Sequence, residues 1–236
     1  MHPLDNPIWT ALTTSLAHLA ESKGFARRFP ADVSVLGAVF PPTDQAYNSL
    51  AQISGANPVG LFRQELAPLP AGWTVISSVP LLQMVYEQPA MPDVASANPR
   101  NDSTLLPQWI ELTAADSPEM MALAELTKPG PFGQRTHELG AFLGVRRDGK
   151  LAAMAGERLH VPGFTEISAV CTHPDFLGRG YATALMKELM RRIHQRGEQP
   201  FLHVRASNTR PIELYQRLGF RQRVLFQYTV IGQAAK

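Results

Sequence analysis

Apolar residues recur along the chain at two different spacings, and the alternation between them predicts a mixed α/β protein. Residues 7–24 carry apolar positions at helical spacing, and residues 47–53 form a shorter helical stripe. The stretches 33–40, 58–62 and 73–86 are short apolar runs bounded by turn-forming residues, which is typical of strands. The first part of the chain therefore mixes helices and strands, and we find no chemical motif in it.

A proline-rich stretch separates this part from the rest of the chain. Between residues 87 and 107 several prolines stand among small polar residues, which is the composition of a linker or a long surface crossing. We place a boundary near residue 98. It divides the chain into a smaller N-terminal α/β domain, 1–98, and a second domain, 99–236.

The second part begins with elements that indicate antiparallel pairing. A strand is predicted over residues 109–112, followed by a helix that Ser117 caps and Pro118 starts. Residues 142–154 form the clearest hairpin, because the Asp148-Gly149 pair supplies the positive φ angles of a tight turn.

A parallel unit follows the hairpin. A strand over residues 165–173 stops at Pro174, a glycine-containing turn follows, and apolar positions at helical spacing continue to about Arg196. The next strand is predicted over residues 201–205, and this β-α-β order implies two parallel strands joined by a right-handed crossover. We therefore expect a mixed, mostly antiparallel sheet that contains one parallel pair.

Composition narrows the class of protein further. With 44% hydrophobic and 18% charged residues among 236, the chain has enough apolar surface to fold. Its one cysteine, Cys171, excludes an internal disulfide and suits a reducing compartment. The N-terminus lacks a basic segment followed by an apolar run, and no apolar stretch approaches the roughly 18 residues of a membrane span. These features predict a cytoplasmic protein that does not bind membranes.

Charge is distributed unevenly although the formal net charge is only +2. Residues 151–236 hold 12 Lys and Arg against 6 Asp and Glu, whereas the first 150 residues carry a net −4. The small total does not indicate a nucleic-acid partner. A solvated basic face and a bound polyanionic cofactor both explain the basic C-terminal part, and charge alone does not choose between them.

The turn between the predicted parallel strands contains Gly178 and Gly180. A glycine pair at the start of a helix leaves main-chain N–H groups free to bind phosphate, and the helix dipole adds to the attraction. For a glycine pair alone, a plain tight turn is the more common explanation. The dinucleotide-binding fingerprint is excluded, because its third glycine is absent.

Two motifs in this region resemble the GNAT superfamily of acyl-CoA-dependent N-acyltransferases, over residues 109–231. The first is the turn Leu177-Gly178-Arg179-Gly180-Tyr181-Ala182. The family turn, (Gln/Arg)-x-x-Gly-x-(Gly/Ala), holds the coenzyme A pyrophosphate; Gly180 and Ala182 fill its small positions, and Leu177 stands where a polar residue is usual. The second motif, residues 208–220, ends in Leu-Tyr-x-x-Leu-Gly-Phe as the family's closing helix does. On this resemblance the N-terminal domain is a degenerate copy of the same fold.

The resemblance implies a set of cofactor-binding residues. Val170 and Thr172, at the end of the strand, would pair their main chain with the pantetheine arm. Asn208 would bond the cofactor arm, although capping the closing helix is an equally good role for it. The complete predicted set is Val170, Thr172, Leu177, Gly178, Arg179, Gly180, Tyr181, Ala182 and Asn208.

Catalytic roles are implied in the same way. Tyr215 lies where the family commonly places a tyrosine near the coenzyme sulfur, and it would act as general acid; a plain aromatic core residue is the alternative. Glu166 would accept the amine proton directly or through water, with Glu157 in reserve. We expect burial beside apolar neighbours to raise the pKa of Glu166, unless it is a solvated residue at the strand edge.

The predicted activity is therefore transfer of an acetyl group from acetyl-CoA to a primary amine in a ternary complex. The acceptor would be a small-molecule or peptide amine, and the protein a monomer or homodimer. A catalytically silent acyl-CoA-binding regulatory module is the alternative. A thiol mechanism through Cys171, His173 and Asp175 is disfavoured, because Pro174 interrupts the strand, and the histidines show no metal-binding spacing.

Overall fold

The computed structural model describes residues 2–64, 68–87 and 108–234, which form five α-helices and two sheets. The helices are α1 (Pro7–Thr13), α2 (Asp44–Ser54), α3 (Ser117–Thr127), α4 (Tyr181–Gln195) and α5 (Thr209–Arg217). The strands are β1 (Glu21–Lys23), β2 (Ala26–Arg28), β3 (Gly37–Val39), β4 (Val59–Arg63), β5 (Trp73–Tyr86), β6 (Trp109–Leu112), β7 (Phe142–Arg147), β8 (Lys150–Val161), β9 (Phe164–Thr172), β10 (Gln199–Arg205) and β11 (Phe220–Gln233).

The larger sheet has eight strands in the order β4-β11-β5-β10-β9-β8-β7-β6. Only β9 and β10 run parallel; every other neighbouring pair is antiparallel. The fold class predicted from the sequence is therefore confirmed. Strands β1, β2 and β3 form a separate three-stranded sheet.

Strands from both sides of the predicted domain boundary share the larger sheet. Residue 98 lies outside the described residues, and the division into two domains stays a prediction. Strands β4 and β5, which precede that position, both pair with β11, and β5 also pairs with β10. The N-terminal part of the chain thus supplies two strands to the sheet that carries the parallel pair.

The predicted hairpin is confirmed and three other local predictions need correction. Of the strand predicted over residues 33–40, only Gly37–Val39 forms a strand, β3. At the tip of the β7–β8 hairpin, Asp148 and Gly149 have φ angles of 52° and 74°. Helix α1 is shorter than predicted, because it ends at Thr13 and the chain then forms a short 3-10 turn and strand β1. Ser117 is the first residue of α3 rather than its cap, and its hydroxyl donates to the Gln134 carbonyl oxygen at 2.5 Å.

Helix α4 packs its apolar face on the parallel strands. Its residues Tyr181, Leu185, Met186, Leu189 and Ile193 are buried in a core that also includes side chains of β8, β9 and β10. Each fully buried aliphatic side chain stabilises the fold by about 1.5–3 kcal/mol. This packing fixes the start of α4 beside the end of β9. No described helix is both long enough and apolar enough to cross a membrane.

Candidate active site

The parallel strands separate after a short paired stretch and leave a cavity between them. Residues 164–166 of β9 pair with residues 199–201 of β10. Beyond that point, residues 167–170 and 202–205 line a cavity of about 240 Å³. Residues of β4, β5, β8, β11 and α5, together with the end of α3 and the following loop, residues 127–131, complete its walls. The gap between two parallel strands, which usually hydrogen-bond to each other, is thus open to a ligand.

A β-bulge shapes the wall that β9 contributes. Met154 pairs with Cys171 and Gly156 with Ser168, so that Ala169 and Val170 together lie opposite Ala155. Ala169 has a φ angle of 53°, an uncommon conformation for a residue with a side chain. A bulge of this kind bends the strand and interrupts its ladder. Val170 therefore lines the cavity with its main chain outside the regular β8–β9 register.

Helix α5 brings two of the predicted residues to the cavity. Tyr215 is 8% exposed and packs edge-on against Phe220, with 6.2 Å between ring centroids. Burial raises the pKa of Tyr215 to about 12, and the nearby Cys171 thiol adds to the effect. The phenol is therefore protonated at neutral pH, although the raised pKa makes it a weaker acid than an exposed tyrosine.

Asn208 occupies the N-cap position of α5, yet its side chain forms no capping hydrogen bond. It is exposed and lines the cavity. Of the two roles open to Asn208 from the sequence, capping by its side chain is not realised. Its amide is available to a molecule bound in the cavity.

Glu166 is fully buried in an ion-paired network. Its Oε1 accepts hydrogen bonds from Arg158 Nη2 at 2.6 Å and His203 Nδ1 at 2.7 Å, and its Oε2 accepts one from Arg158 Nε at 2.9 Å. Burial alone would raise the pKa of Glu166, but the Arg158 charge and the bonds to Arg158 and His203 outweigh burial and lower it to about 2. The expectation of a raised pKa is therefore wrong, since the sequence did not reveal these partners.

His203 is buried and neutral. Burial lowers its pKa, and the side chain is 1% exposed. Its Nε2 lies 3.1 Å from Gln83 Nε2, which also donates to the Leu4 carbonyl oxygen. Because Gln83 Nε2 can only donate, His203 Nε2 accepts and its Nδ1 carries the proton that bonds Glu166. His203 thus orients Glu166 and has no second ring nitrogen free for proton transfer.

The reserve base Glu157 is equally enclosed. Its side chain is 3% exposed, and its Oε1 accepts a hydrogen bond from Arg196 Nη2 at 2.9 Å. Neither Glu157 nor Glu166 lies among the described residues that line the cavity. Arg158 and His203 line it instead.

Arg158, His203, Phe62 and Tyr228 are cavity residues that the sequence did not single out. They come from four different strands, β8, β10, β4 and β11. Their one sequence signal is weak: Arg158 and His203 are polar residues inside apolar strands. Only the register of the sheet shows that they meet.

The glycine turn lies outside the cavity, at the start of α4. Gly178 and Gly180 have φ angles of 75° and 76°, and none of the described side chains caps the helix. A Cβ at either glycine would meet no described atom within 4 Å, so the backbone angle rather than crowding favours glycine there. Leu177 is 64% exposed. The turn presents main chain to solvent.

The other predicted turn residues differ in what they can contact. Arg179 is exposed, with its guanidinium 5.2 Å from the Phe176 ring centroid. Tyr181 is 7% exposed, and its hydroxyl accepts a hydrogen bond from Arg147 Nε at 3.0 Å. The Tyr181 side chain thus belongs to the core, and only its main chain is near the turn. Ala182, in the first turn of α4, is half-buried.

Thr172 and Cys171 end strand β9. Thr172 pairs with Ala153 and is half-buried. Burial raises the pKa of Cys171 to about 11, which keeps the thiol protonated and weak as a nucleophile. His173 Nδ1 accepts from the Asp175 main-chain N–H at 3.2 Å, a local turn contact. In the described part of the chain no three His, Cys, Asp or Glu residues are grouped to hold a metal ion.

Comparisons with known proteins agree with this geometry. Residues 142–230 match the family described as FR47-like protein. The chain is 38% identical to a crystallised candidate acetyltransferase from the GNAT family of Novosphingobium aromaticivorans, with a TM-score of 0.87 and full coverage of both chains. A GCN5-related N-acetyltransferase from Kribbella flavida shares the fold at 17% identity, with a TM-score of 0.61 over 96% of this chain and 94% of that one. No curated protein matches the sequence.

Proposed function

The chain belongs to the GNAT family of acetyltransferases, and on this premise we propose that it transfers an acetyl group from acetyl-CoA to a primary amine. The family and its fold establish acyl transfer as the general activity. The observation that supports the specific proposal is the opening of the parallel strands. Tyr215 lines the cavity at this opening, and β9, which forms one wall of the cavity, leads through the glycine turn to the start of α4.

The glycine turn is proposed to bind the coenzyme A diphosphate. The first N–H groups of a helix lack partners within the helix, and the helix dipole attracts anions to that end. In α4 no described side chain caps these groups, and no acidic residue stands in the first turn. Main-chain N–H groups of residues 178–182 would serve as donors, so the hydrophobic Leu177 is compatible with binding.

The cavity is proposed to hold the thioester end of acetyl-CoA. The pantetheine arm would run along the bulged main chain at Val170 and toward the end of β9 at Thr172. Asn208, whose amide is not used as a cap, would bond the arm from the opposite wall. This arrangement would bring the thioester to the Tyr215 hydroxyl.

The reaction is proposed to proceed by direct attack. The neutral amine adds to the thioester carbonyl carbon, the tetrahedral intermediate breaks its carbon–sulfur bond, and Tyr215 donates a proton to the departing thiolate. The amine nitrogen loses its proton to water, and Tyr215 is reprotonated from solvent. The pKa of about 12 keeps Tyr215 in its donor form before each turnover.

The role of Glu166 as base stays a prediction, and its surroundings argue for a different part. A carboxylate with a pKa of about 2 is a weak proton acceptor, and three hydrogen bonds already occupy it. We favour Glu166 as a positioning residue that holds Arg158 and His203 at the cavity wall. Water then accepts the amine proton.

Release of free thiol from acetyl-CoA tests the proposal. The purified protein is assayed with small amines, amino acids, a peptide N-terminus and a protein lysine, alongside Tyr215→Phe. We expect amine-dependent thiol release with at least one class of acceptor and a large loss in the variant. Binding of acetyl-CoA without turnover on any amine would contradict the proposal and favour a silent acyl-CoA-binding module.

A further inference from the structure

Arg158, Arg205 and Tyr228 line the cavity, and together, as the cationic corner, they point to the chemistry of the acceptor. We propose, on the basis of the proposed function, that the acceptor is an aminocarboxylate whose carboxylate binds Arg158, Arg205 and the Tyr228 hydroxyl. These three residues lie on β8, β10 and β11 and line the same cavity as Tyr215. The corner would hold the acid end of the molecule while the amine reaches the thioester.

Arg158 has one nitrogen left for a ligand. Its Nε and Nη2 donate to Glu166, which fixes the guanidinium plane, whereas Nη1 forms no hydrogen bond with any other described residue. The side chain is 13% exposed and lines the cavity. A guanidinium held in this way presents a preorganised donor, because its rotamer is already fixed before the ligand arrives.

Arg205 and Tyr228 complete the corner. Arg205 is exposed, and its side chain has no ion-pair partner in the described part of the chain. The charges of both arginines act on the Tyr228 hydroxyl and oppose the rise in its pKa that burial causes. All three groups therefore lie within electrostatic reach of each other, and each can donate a hydrogen bond to an anion.

The charges that face the cavity favour an anionic acceptor over a cationic one. Lys128, Arg158 and Arg205 line it, and no Asp or Glu does among the described lining residues. Glu166, behind Arg158, offsets one of the three positive charges. A polyamine would meet uncompensated positive charge, whereas a carboxylate would be attracted. The same positive charge disfavours the ammonium form of the acceptor and so favours the reactive neutral amine.

A carboxylate suits the corner better than a phosphate monoester. One free guanidinium nitrogen, a second arginine and one hydroxyl match the few acceptor sites of a carboxylate. The cavity of about 240 Å³ must also admit the thioester end of the cofactor, which favours the smaller anion.

Binding and turnover are measured separately, so that this inference and the proposed function fail in different ways. Binding of glycine, β-alanine and 4-aminobutyrate, of their amides and of O-phosphoethanolamine is measured by calorimetry on the protein saturated with coenzyme A. Thiol release from acetyl-CoA is followed with the same compounds. The variants are Arg205→Gln, Arg205→Lys and Tyr228→Phe, and Arg221→Gln removes an exposed arginine elsewhere on β11 as a control.

We expect at least one acid to bind about tenfold or more tightly than its amide, since a charge-assisted hydrogen bond is lost in the amide. Arg205→Gln and Tyr228→Phe should reduce this ratio, Arg205→Lys should restore part of it, and Arg221→Gln should leave it unchanged. The chain length that binds best reports the distance between the corner and the thioester.

Three results of the acceptor-binding measurements would overturn the inference. They are equal binding of acids and amides by the unaltered protein, an unchanged ratio in Arg205→Gln, and tighter binding of O-phosphoethanolamine than of every acid. Loss of coenzyme A affinity alone in Arg205→Gln would assign that residue to the cofactor and would also overturn it. Preferential binding of acids without thiol release would retain the anion corner and refute the proposed function.

Discussion

The glycine turn and the cationic corner bind by different physical means. The turn is a local, exposed feature in which consecutive residues present main-chain N–H groups at the start of α4. The corner combines the largely buried side chain of Arg158 with the exposed Arg205 and the half-buried Tyr228, which only the sheet brings together. A main-chain site tolerates many side chains, as Leu177 illustrates. A side-chain site depends on each residue and on the buried partners that hold it.

The largest expected effect is on the stability of the protein when Glu166, which holds Arg158 in the cationic corner, is replaced. Glu166→Gln leaves the enclosed Arg158 without its counter-charge, and breaking a buried ion pair in this way costs about 3–5 kcal/mol of unfolding free energy. Urea denaturation measures the loss. Glu119→Gln is the control, because Glu119 is 48% exposed and pairs with Arg146 at the surface, where about 1 kcal/mol or less is expected.

Low pH should weaken the same ion pair between Glu166 and Arg158. The pKa of Glu166 is about 2 in the folded protein and 4.5 as its ordinary value, so its stabilising effect is complete above about pH 4.5 and is lost as the pH falls toward 2. Unfolding free energies of the unaltered protein and Glu166→Gln should therefore converge over this range. Parallel curves would show that Glu166 is not ionised in the folded state.

The next largest effect concerns the chemistry between the two regions. Tyr215→Phe removes the proposed general acid and should lower kcat by about 100-fold while the affinity for acetyl-CoA is retained. Tyr47→Phe, in a separate core cluster, should change neither. Unchanged turnover in Tyr215→Phe would exclude this phenol from the mechanism.

A smaller effect is expected at the turn, where two glycines provide a matched pair. Gly180 and Gly163 both have positive φ angles, 76° and 80°, and a Cβ at either position would meet no atom of the described residues within 4 Å. Alanine at either site should cost roughly 1–2 kcal/mol of stability through backbone strain. Only Gly180→Ala should also weaken coenzyme A binding, by about tenfold. Equal affinities in the two variants would refute the proposed diphosphate site.

The smallest effect concerns kcat, which we expect to be independent of pH around neutrality. Because the pKa values of Glu166 and Tyr215 are about 2 and about 12, neither group titrates near neutrality. We expect kcat to stay level between about pH 6 and 10, while kcat/KM rises with pH as the acceptor amine loses its proton. An acidic limb in kcat that disappears in Glu166→Gln would restore Glu166 as the base.

The sequence predicts features that depend on neighbouring residues better than features that the sheet assembles from distant residues. The hairpin at Asp148, the strand before Pro174 and the turn around Gly180 depend on neighbouring residues, and the structure places them where predicted. The sequence predicts a longer helix than α1, because apolar residues beyond Thr13 continue the helical spacing although the chain there has left the α-helical conformation.

The contacts between side chains of the site cannot be predicted from neighbouring residues in the sequence. Arg158, Glu166 and His203 meet because β8, β9 and β10 are neighbours in a specific register, and a shift of one residue would turn each side chain to the other face. The bulge at Ala169 contains no glycine that would indicate it in the sequence. A prediction that considers only burial, and not these contacts, gives the wrong direction for the pKa shift of Glu166.

The position of β11 bears on how the protein is made. This strand lies between β4 and β5, which are synthesised well over a hundred residues earlier. During translation, the edges of β4 and β5 that pair with β11 therefore stay without that partner until residues 220–233 have been synthesised. Unpaired strand edges favour association with other nascent chains. Chaperone capture during translation is expected to concentrate in this interval and to end when the last strand is inserted.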